Sequence, residues 1–276
     1  MKTYSPVISL NHNSRGVYCL DPTIGCASGM YSHINGCYGD CYAAKSAKIY
    51  GYDFSKTVIR NFLSKAHEQS IKNRIGKIDL DFIRMGCSGD PSEAWDHTLL
   101  IIDKIKNCGK EVVIITRHWQ LLSDYNLSQL KEYRICINTS VSALDNEVDL
   151  ERSITQYNRL KPYCKSILRV VSCDFNKNNE IGMGLSIIQD SLLKNESVID
   201  TIFRPSTSSE LISSGIINAK HGVFMGSKQL LSKHNKKTYA GKCSRCVDMC
   251  GQNMNPASYI NNSNIPLFKQ ISLLKP

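Results

Sequence analysis

The sequence lacks any long hydrophobic run. No window of about 18 residues is apolar throughout, so the chain offers no candidate for a helix that crosses a membrane. Its first residues, 1–6, also lack the apolar core of a secretory signal peptide. We therefore expect a cytoplasmic protein with no membrane partner.

A cytoplasmic location argues against a disulfide framework, although the chain has 12 cysteines. Cytoplasmic thiols are kept reduced, so clustered cysteines there more often bind a metal. We expect most of the isolated ones, which are Cys19, Cys87, Cys108, Cys136, Cys164 and Cys173, to be small buried hydrophobic residues. The clustered ones are Cys26, Cys37 and Cys41 near the start, and Cys243, Cys246 and Cys250 near the end.

Acidic residues are in the minority. The chain has 34 Lys and Arg against 24 Asp and Glu, a formal net charge of +10. This excess favours a polyanionic or phosphorylated partner without identifying it. Basic residues are densest between Lys228 and Arg245, but Tyr239 is the only aromatic residue among them. Because aromatic side chains stack on the bases of single strands, this run fits a solvated basic face as well as a nucleic-acid contact.

Strand-like and helix-like segments alternate along most of the chain, at intervals of about 20 to 30 residues. Such alternation predicts right-handed βαβ crossovers and a parallel sheet. Six units predict an α/β fold, a partial (β/α)6 TIM-like barrel, with a doubly wound open sheet as the competing architecture. The predicted strands are 16–20, 80–85, 111–116, 134–140, 166–171 and 198–203, and the predicted helices are 43–50, 55–74, 93–107, 119–131, 145–160, 181–193 and 208–213.

The alternation stops after Phe224, which divides the chain into two parts. We predict the barrel over 1–225, with the first cysteine cluster in a loop at 21–50. We predict that residues 226–276 form a basic connector and a cysteine-rich C-terminal extension.

Polar residues follow the predicted strands. In parallel α/β folds, ligands bind at the carboxyl ends of the strands. After the second strand, Gly86 and Gly89 bracket Ser88, an arrangement that lets a ligand approach the backbone closely. Other positional candidates for substrate contacts are His97, His118, Asp174 and Arg204.

Each cysteine cluster has three thiols rather than four. A structural zinc normally takes four protein ligands, whereas a four-iron cluster held by three cysteines leaves one iron open. Either each triplet holds its own iron-sulfur cluster, or both ends contribute to one zinc or iron-sulfur site. His33, within the first loop, is a candidate fourth ligand.

The placement of these motifs resembles the radical S-adenosylmethionine (SAM) superfamily. A cysteine loop directly follows the first barrel strand, and a Gly/Ser-rich end follows the second. The narrower resemblance is to uncharacterised phage and prophage relatives, including the phage gene product eighty-eight family. It is carried by Gly25-Cys26, Gly36-Cys37, Cys41-Tyr42-Ala43, Gly86-Cys87-Ser88-Gly89-Asp90, Ile114-Ile115-Thr116-Arg117 and Asn138-Thr139-Ser140-Val141-Ser142.

The resemblance implies one or two [4Fe-4S] clusters, SAM as a cofactor and an electron donor such as flavodoxin or ferredoxin. Reductive cleavage of SAM would yield a 5′-deoxyadenosyl radical that abstracts hydrogen from a small-molecule or nucleic-acid substrate. Cys26, Cys37 and Cys41 would hold the reactive cluster, and the C-terminal triplet an auxiliary one. By position, Tyr42 would pack near the adenine, Ser88, Gly89 and Asp90 near the methionine amine, and Ser140, Ser142 and Arg169 near the carboxylate or ribose.

Two other functions stay open. One is a zinc-stabilised nucleic-acid-binding protein on an α/β scaffold, and the other is a non-catalytic iron-sulfur protein. The Cys26-x10-Cys37-x3-Cys41 spacing is longer than the Cys-x3-Cys-x2-Cys loop usual in the superfamily. It therefore also stays open which triplet binds the reactive cluster.

Overall fold

A computed structural model describes residues 2–13, 16–33, 36–194, 198–203, 205–206, 208–218 and 249–252. Cys243, Cys246 and Arg204 lie outside these ranges, as does most of the predicted C-terminal extension. Within them, no helix combines the length and the apolar character needed to cross a membrane.

Nine strands and eight α-helices make up the described fold. The strands are β1 (Leu10–His12), β2 (Tyr18–Leu20), β3 (Thr23–Ile24), β4 (Val58–Ile59), β5 (Phe82–Met85), β6 (Glu111–Thr116), β7 (Ile135–Val141), β8 (Lys165–Ser172) and β9 (Val198–Ile202). The helices are α1 (Ala27–Ser32), α2 (Tyr42–Ile49), α3 (Lys65–Gly76), α4 (Trp95–Ile105), α5 (Asp124–Gln129), α6 (Glu147–Leu160), α7 (Glu180–Leu193) and α8 (Glu210–Ser213).

The main sheet has seven strands in the order β1-β2-β5-β6-β7-β8-β9. β1 pairs antiparallel with β2, and every later pair is parallel. The six parallel strands follow one another in chain order, without the reversal that defines a doubly wound sheet. The predicted partial (β/α)6 barrel is therefore confirmed, and the doubly wound alternative is wrong.

Apolar side chains cover both faces of this sheet. On the helical side, two buried clusters join the strands to α3, α4, α6 and α7. The concave side, which we call the lumen, has its own buried cluster. Burial on both faces explains why a strand such as β6 reads as an almost continuous apolar run. The lumen cluster comprises Val17, Phe82, Val113, Cys136, Ile167, Ile199 and Cys250.

The short C-terminal segment 249–252 lies inside the lumen. Asn138 Nδ2 donates a hydrogen bond to the carbonyl oxygen of Cys250 (3.2 Å), and Gln252 Nε2 donates to Glu111 Oε1 (3.0 Å). Glu111 begins β6, so this segment closes the amino end of the barrel. A β carbon on Gly251 would lie 1.9 Å from Ile167 Cδ1, so a larger residue would displace the end of the Ile167 side chain.

Three predicted features near the start of the chain differ from the structure. The predicted helix 55–74 is wrong over 55–64, because β4 lies there and pairs antiparallel with β3. α3 begins only after Ser64, whose Oγ accepts a hydrogen bond from the His67 N–H (3.1 Å). The predicted first loop contains an unpredicted helix, α1. Cys19 and Cys87, expected as separate buried thiols, form a disulfide.

Candidate functional site

Three free cysteines line one cavity at the carboxyl edge of the sheet. The cavity has a volume of about 130 Å³. Cys26 directly precedes α1, Cys37 lies in the turn that follows, and Cys41 directly precedes α2. The structure therefore brings together all three members of the N-terminal triplet. Four other predicted cofactor-binding residues, Tyr42, Gly89, Asp90 and Ser140, line the same cavity.

Two glycines make room for the thiols. A β carbon on Gly29 would lie 2.8 Å from Cys26 Sγ and 3.5 Å from Cys37 Sγ. A β carbon on Gly36 would lie 2.6 Å from Cys41 Cβ and 3.6 Å from its Sγ. Gly36 also has a φ of 80°, in the left-handed region that favours glycine. The glycines of this loop therefore keep space free between the sulfur atoms.

Burial raises the pKa of two of these thiols. The pKa of Cys26 is raised by burial, and nearby Asp90 raises it further. Burial raises the pKa of Cys37 to about 11, although the positive charge of Arg117 acts in the opposite direction. Cys26 Sγ has an acceptor at Glu93 Oε1 (3.5 Å). Without a bound cation Cys26 and Cys37 hold their protons at neutral pH, and a thiophilic metal centre would displace these protons.

The donor set matches an iron-sulfur cluster in the type of its ligands. Three cysteines that line one small cavity supply the thiolates that such clusters bind. Among the described residues, no three histidine, cysteine or acidic side chains are grouped to hold a single metal ion. His33, the candidate fourth ligand, does not line this cavity. It lies in a wider cleft, together with Asp40, Lys45 and Ser206.

Asp21, which the sequence did not single out, fixes one wall of the cavity. Its buried carboxylate accepts hydrogen bonds from the N–H groups of Gly86 (2.8 Å), Cys87 (3.0 Å) and Ser88 (3.1 Å). The hydroxyl of Tyr42 donates to the carbonyl oxygen of Cys87 (2.9 Å). The loop after β5 is thus held by Asp21 through its N–H groups and by Tyr42 through one of its carbonyl oxygens.

The same loop packs against the chain that carries the cysteines. The Gly25 N–H donates to the carbonyl oxygen of Ser88 (3.0 Å). A β carbon on Gly89 would lie 2.7 Å from the carbonyl oxygen of Gly25, so a side chain would separate the two segments. Gly89 therefore contributes backbone to this wall, whereas Ser88, also predicted as a cofactor contact, does not line the cavity.

The carboxylate of Asp90 is fully engaged within the protein. Its oxygens accept hydrogen bonds from the Ser92 N–H (2.9 Å), Ser92 Oγ (2.8 Å), Thr116 Oγ1 (2.6 Å) and the Arg117 N–H (2.8 Å). These bonds tie the end of β5 to the end of β6. The predicted contact of Asp90 with a methionine amine stays a prediction.

Arg117 and Trp119 line the cavity, although the sequence predicts a site role for neither of them. The Arg117 guanidinium pairs with Asp145, donates to the Tyr38 hydroxyl and lies 5.1 Å from the centre of the Trp119 ring. Between them, His118 has a φ of 53°, an unusual value for a non-glycine residue. This conformation places the two flanking side chains at the cavity while His118 itself is buried.

The predicted cofactor contacts on and after β7 and β8 differ in their distance from the cavity. Ser140 lines the cavity, and Arg169 is its neighbour in the β7–β8 register. The Arg169 guanidinium donates to Thr201 Oγ1 (2.7 Å) and Asn138 Oδ1 (3.0 Å). Ser142 is buried, and its Oγ donates to the Val171 carbonyl oxygen (2.7 Å).

Of the remaining positional candidates, Arg204 lies outside the described residues, and His97, His118 and Asp174 do not line the cavity. His97 Nε2 donates to the carbonyl oxygen of Arg60 (2.9 Å), and His118 shares a hydrogen bond with Thr139 Oγ1 (2.9 Å). The backbone carbonyl of Asp174 accepts from the Asn218 N–H (2.8 Å). In the C-terminal triplet, Cys250 lies in the lumen, where Arg84 Nη2 donates to its Sγ (2.8 Å).

Comparisons with known proteins give a structural likeness only. No protein-family model and no curated protein matches the chain. Two solved structures of spore photoproduct lyase mutants are each 12% identical to it. One, with bound AdoMet and dinucleoside spore photoproduct, has a TM-score of 0.46, and the match covers 70% of this chain and 58% of the lyase chain. The other has a TM-score of 0.47, and the match covers 74% of this chain and 62% of the lyase chain. This chain therefore spans less than two thirds of either lyase chain, and the likeness to the phage family stays a prediction.

Proposed function

We propose that the protein is a radical SAM enzyme whose reactive [4Fe-4S] cluster is held by Cys26, Cys37 and Cys41. The observation that carries this proposal is the meeting of three free thiols at one cavity on the carboxyl edge of a partial barrel. Parallel α/β barrels bind ligands at this edge. Three thiolates leave one iron of a four-iron cluster open for a further ligand.

When bound, the cluster supplies one electron that cleaves SAM to a 5′-deoxyadenosyl radical, which abstracts hydrogen from the substrate. The electron comes from a donor such as flavodoxin or ferredoxin. The net charge of +10 favours an anionic substrate.

The residues around the cavity prepare it for this chemistry. Cys26 must lose its proton to become a ligand, and Glu93 Oε1 is the acceptor next to its Sγ. Phe54, Ile115 and Trp119 line the cavity with apolar surface, which limits the access of water. Gly29 and Gly36 keep free the space that a cluster would fill.

The test is SAM cleavage by protein that is reconstituted anaerobically without thiol reagents, so that the Cys19–Cys87 disulfide stays intact, in the presence of a strong one-electron reductant. Wild-type protein should release 5′-deoxyadenosine, and Cys37→Ala or Cys41→Ala should reduce the release to background. Cys108→Ala is the matched control, because this free thiol lies outside the cavity on the helical side of the sheet. Retained cleavage in Cys37→Ala and Cys41→Ala, with loss in Cys246→Ala, would place the reactive cluster at the C-terminal triplet instead.

A further inference from the structure

We propose that Cys87 is a fourth thiol of the cysteine cavity, which its disulfide with Cys19 withholds from the metal centre. With the disulfide intact, three thiolates face the cavity. After reduction, Cys87 supplies a fourth and closes the open iron. This inference rests on the proposed function, because it assigns two states to the same cavity.

The first support is the position of Cys87. The disulfide links Cys19 on β2 to Cys87 just beyond β5, across 68 residues of sequence and with 6.5 Å between the Cα atoms. Cys87 also lines the cavity that Cys26, Cys37 and Cys41 line. Four cysteines therefore meet at one cavity, and one of them is bonded to a partner outside the cavity lining.

The second support is that the backbone of Cys87 is held independently of the disulfide. Its N–H donates to Asp21 Oδ1 (3.0 Å), and its carbonyl oxygen accepts from the Tyr42 hydroxyl (2.9 Å). Asp21 binds the N–H groups on either side of it as well. Cleavage of the disulfide would thus free the Cys87 side chain while the backbone stays at the cavity.

The third support is that the residues holding this loop are sequence neighbours of the cysteine ligands. Tyr42 directly follows Cys41, and Gly25, which binds the carbonyl oxygen of Ser88, directly precedes Cys26. The loop of Cys87 is therefore attached to the ligand-bearing segment at both ends. The Cys87 backbone would therefore stay beside the cavity in either redox state, and reduction would place its thiol within reach of the metal centre.

The chemistry of the two states differs in one ligand. A thiolate binds iron, whereas a disulfide sulfur carries no negative charge and is not a comparable ligand. Reduction takes two electrons and two protons from a dithiol reductant, which becomes a cyclic disulfide, and leaves Cys19 and Cys87 as thiols. Cys87 then loses its proton when it binds the iron that three cysteines leave open.

Two variants separate the states without a redox titration. Cys19→Ser leaves Cys87 permanently free, and Cys87→Ser removes the fourth thiol. Both lack the disulfide, so a general effect of its loss cancels between them. The readout is the change that SAM causes in the electron paramagnetic resonance spectrum of the reduced, reconstituted cluster.

We expect the SAM-induced change to be weaker by about tenfold in Cys19→Ser than in Cys87→Ser, since a tethered ligand competes at an effective concentration in the millimolar range. The double variant Cys19→Ser/Cys87→Ser should respond like Cys87→Ser. Equal responses of the two single variants would overturn the inference.

Cobalt(II) provides an arm that does not depend on the proposed function. Thiolate-to-cobalt charge-transfer absorption counts thiolate ligands, and the variants share all other cysteines. Cys19→Ser should absorb more than the double variant, by the contribution of one thiolate, and Cys87→Ser should equal the double variant. Equal absorption in all three overturns the inference, whereas failure of every variant to form an iron-sulfur cluster overturns the proposed function alone.

Discussion

The two ends of the barrel differ in the balance of packing and hydrogen bonds. At the carboxyl edge, buried carboxylates hold the loops: Asp21 accepts hydrogen bonds from three backbone N–H groups, and Asp90 from four donors. At the amino end, side chains such as Phe82 and Val113 pack into an apolar cluster that Gly251 closes, and Glu111 accepts one hydrogen bond from the closing segment. Packing can fill a space, but hydrogen bonds to a buried charge specify the position of each partner. The difference indicates that geometry is controlled most tightly around the cysteine cavity.

The largest effect should follow from removal of one carboxylate at the carboxyl edge. Asp90→Ala leaves four buried donors without their acceptor, and each unsatisfied donor costs about 1–3 kcal/mol. We expect the free energy of unfolding to fall by at least about 3 kcal/mol, measured by urea denaturation. Asp103→Ala is the control, because Asp103 makes only an exposed ion pair with Lys106. Equal losses in the two variants would contradict the importance assigned to the Asp90 network.

His118 makes the same edge sensitive to acid. Burial lowers its pKa to about 3 from an ordinary value of 6.5. Below pH 6.5, His118 is protonated in the unfolded chain, but in the folded protein it stays neutral down to about pH 3. Stability should therefore fall as the pH is lowered through this window, by roughly 1.4 kcal/mol per pH unit for one proton.

The pH effect is measured as the difference between wild type and His118→Asn. Asparagine tolerates the left-handed backbone of this position and does not titrate. The variant should be less stable at pH 7, and its stability should fall less steeply between pH 6.5 and 5. Parallel pH profiles for the two proteins would show that His118 is not held neutral.

The smallest effect tests the amino end. Gly251→Ala places a methyl group against Ile167 at a φ of 100°, whereas Gly109→Ala meets open space at a φ of 74°. Both variants lose about 1–2 kcal/mol of stability, because alanine is strained in the left-handed region. Gly251→Ala should lose a further 1–2 kcal/mol or so through overpacking. Equal losses in thermal unfolding would mean that segment 249–252 does not close the lumen.

The sequence predicts the barrel well where local pattern and tertiary structure agree. β6 occupies the predicted residues 111–116, because a strand buried on both faces shows its apolar run directly. Helix α5 begins five residues later than predicted, at Asp124, because Ser123 caps it and His118 turns the preceding chain toward the cavity. Pattern therefore finds the elements, while caps and special backbone conformations set their ends.

The candidate site is less predictable because its partners lie far apart in the chain. Helix α1 is short and glycine-containing, and its first N–H groups are satisfied by Thr57 and Glu93. Cys19 and Cys87 are 68 residues apart. The one available signal for Asp21 was its place directly after the first barrel strand. Such contacts arise only once the sheet has formed, so spacing within the sequence does not encode them.

The most direct test of the central claim is the metal content of protein reconstituted anaerobically without thiol reagents, so that the Cys19–Cys87 disulfide stays intact, measured in wild type and in Cys41→Ala. The account predicts a brown wild-type protein with iron and inorganic sulfide. Cys41→Ala should contain about four fewer of each per chain, the content of one [4Fe-4S] cluster. A colourless wild-type protein with stoichiometric zinc, or unchanged iron in Cys41→Ala, would contradict it.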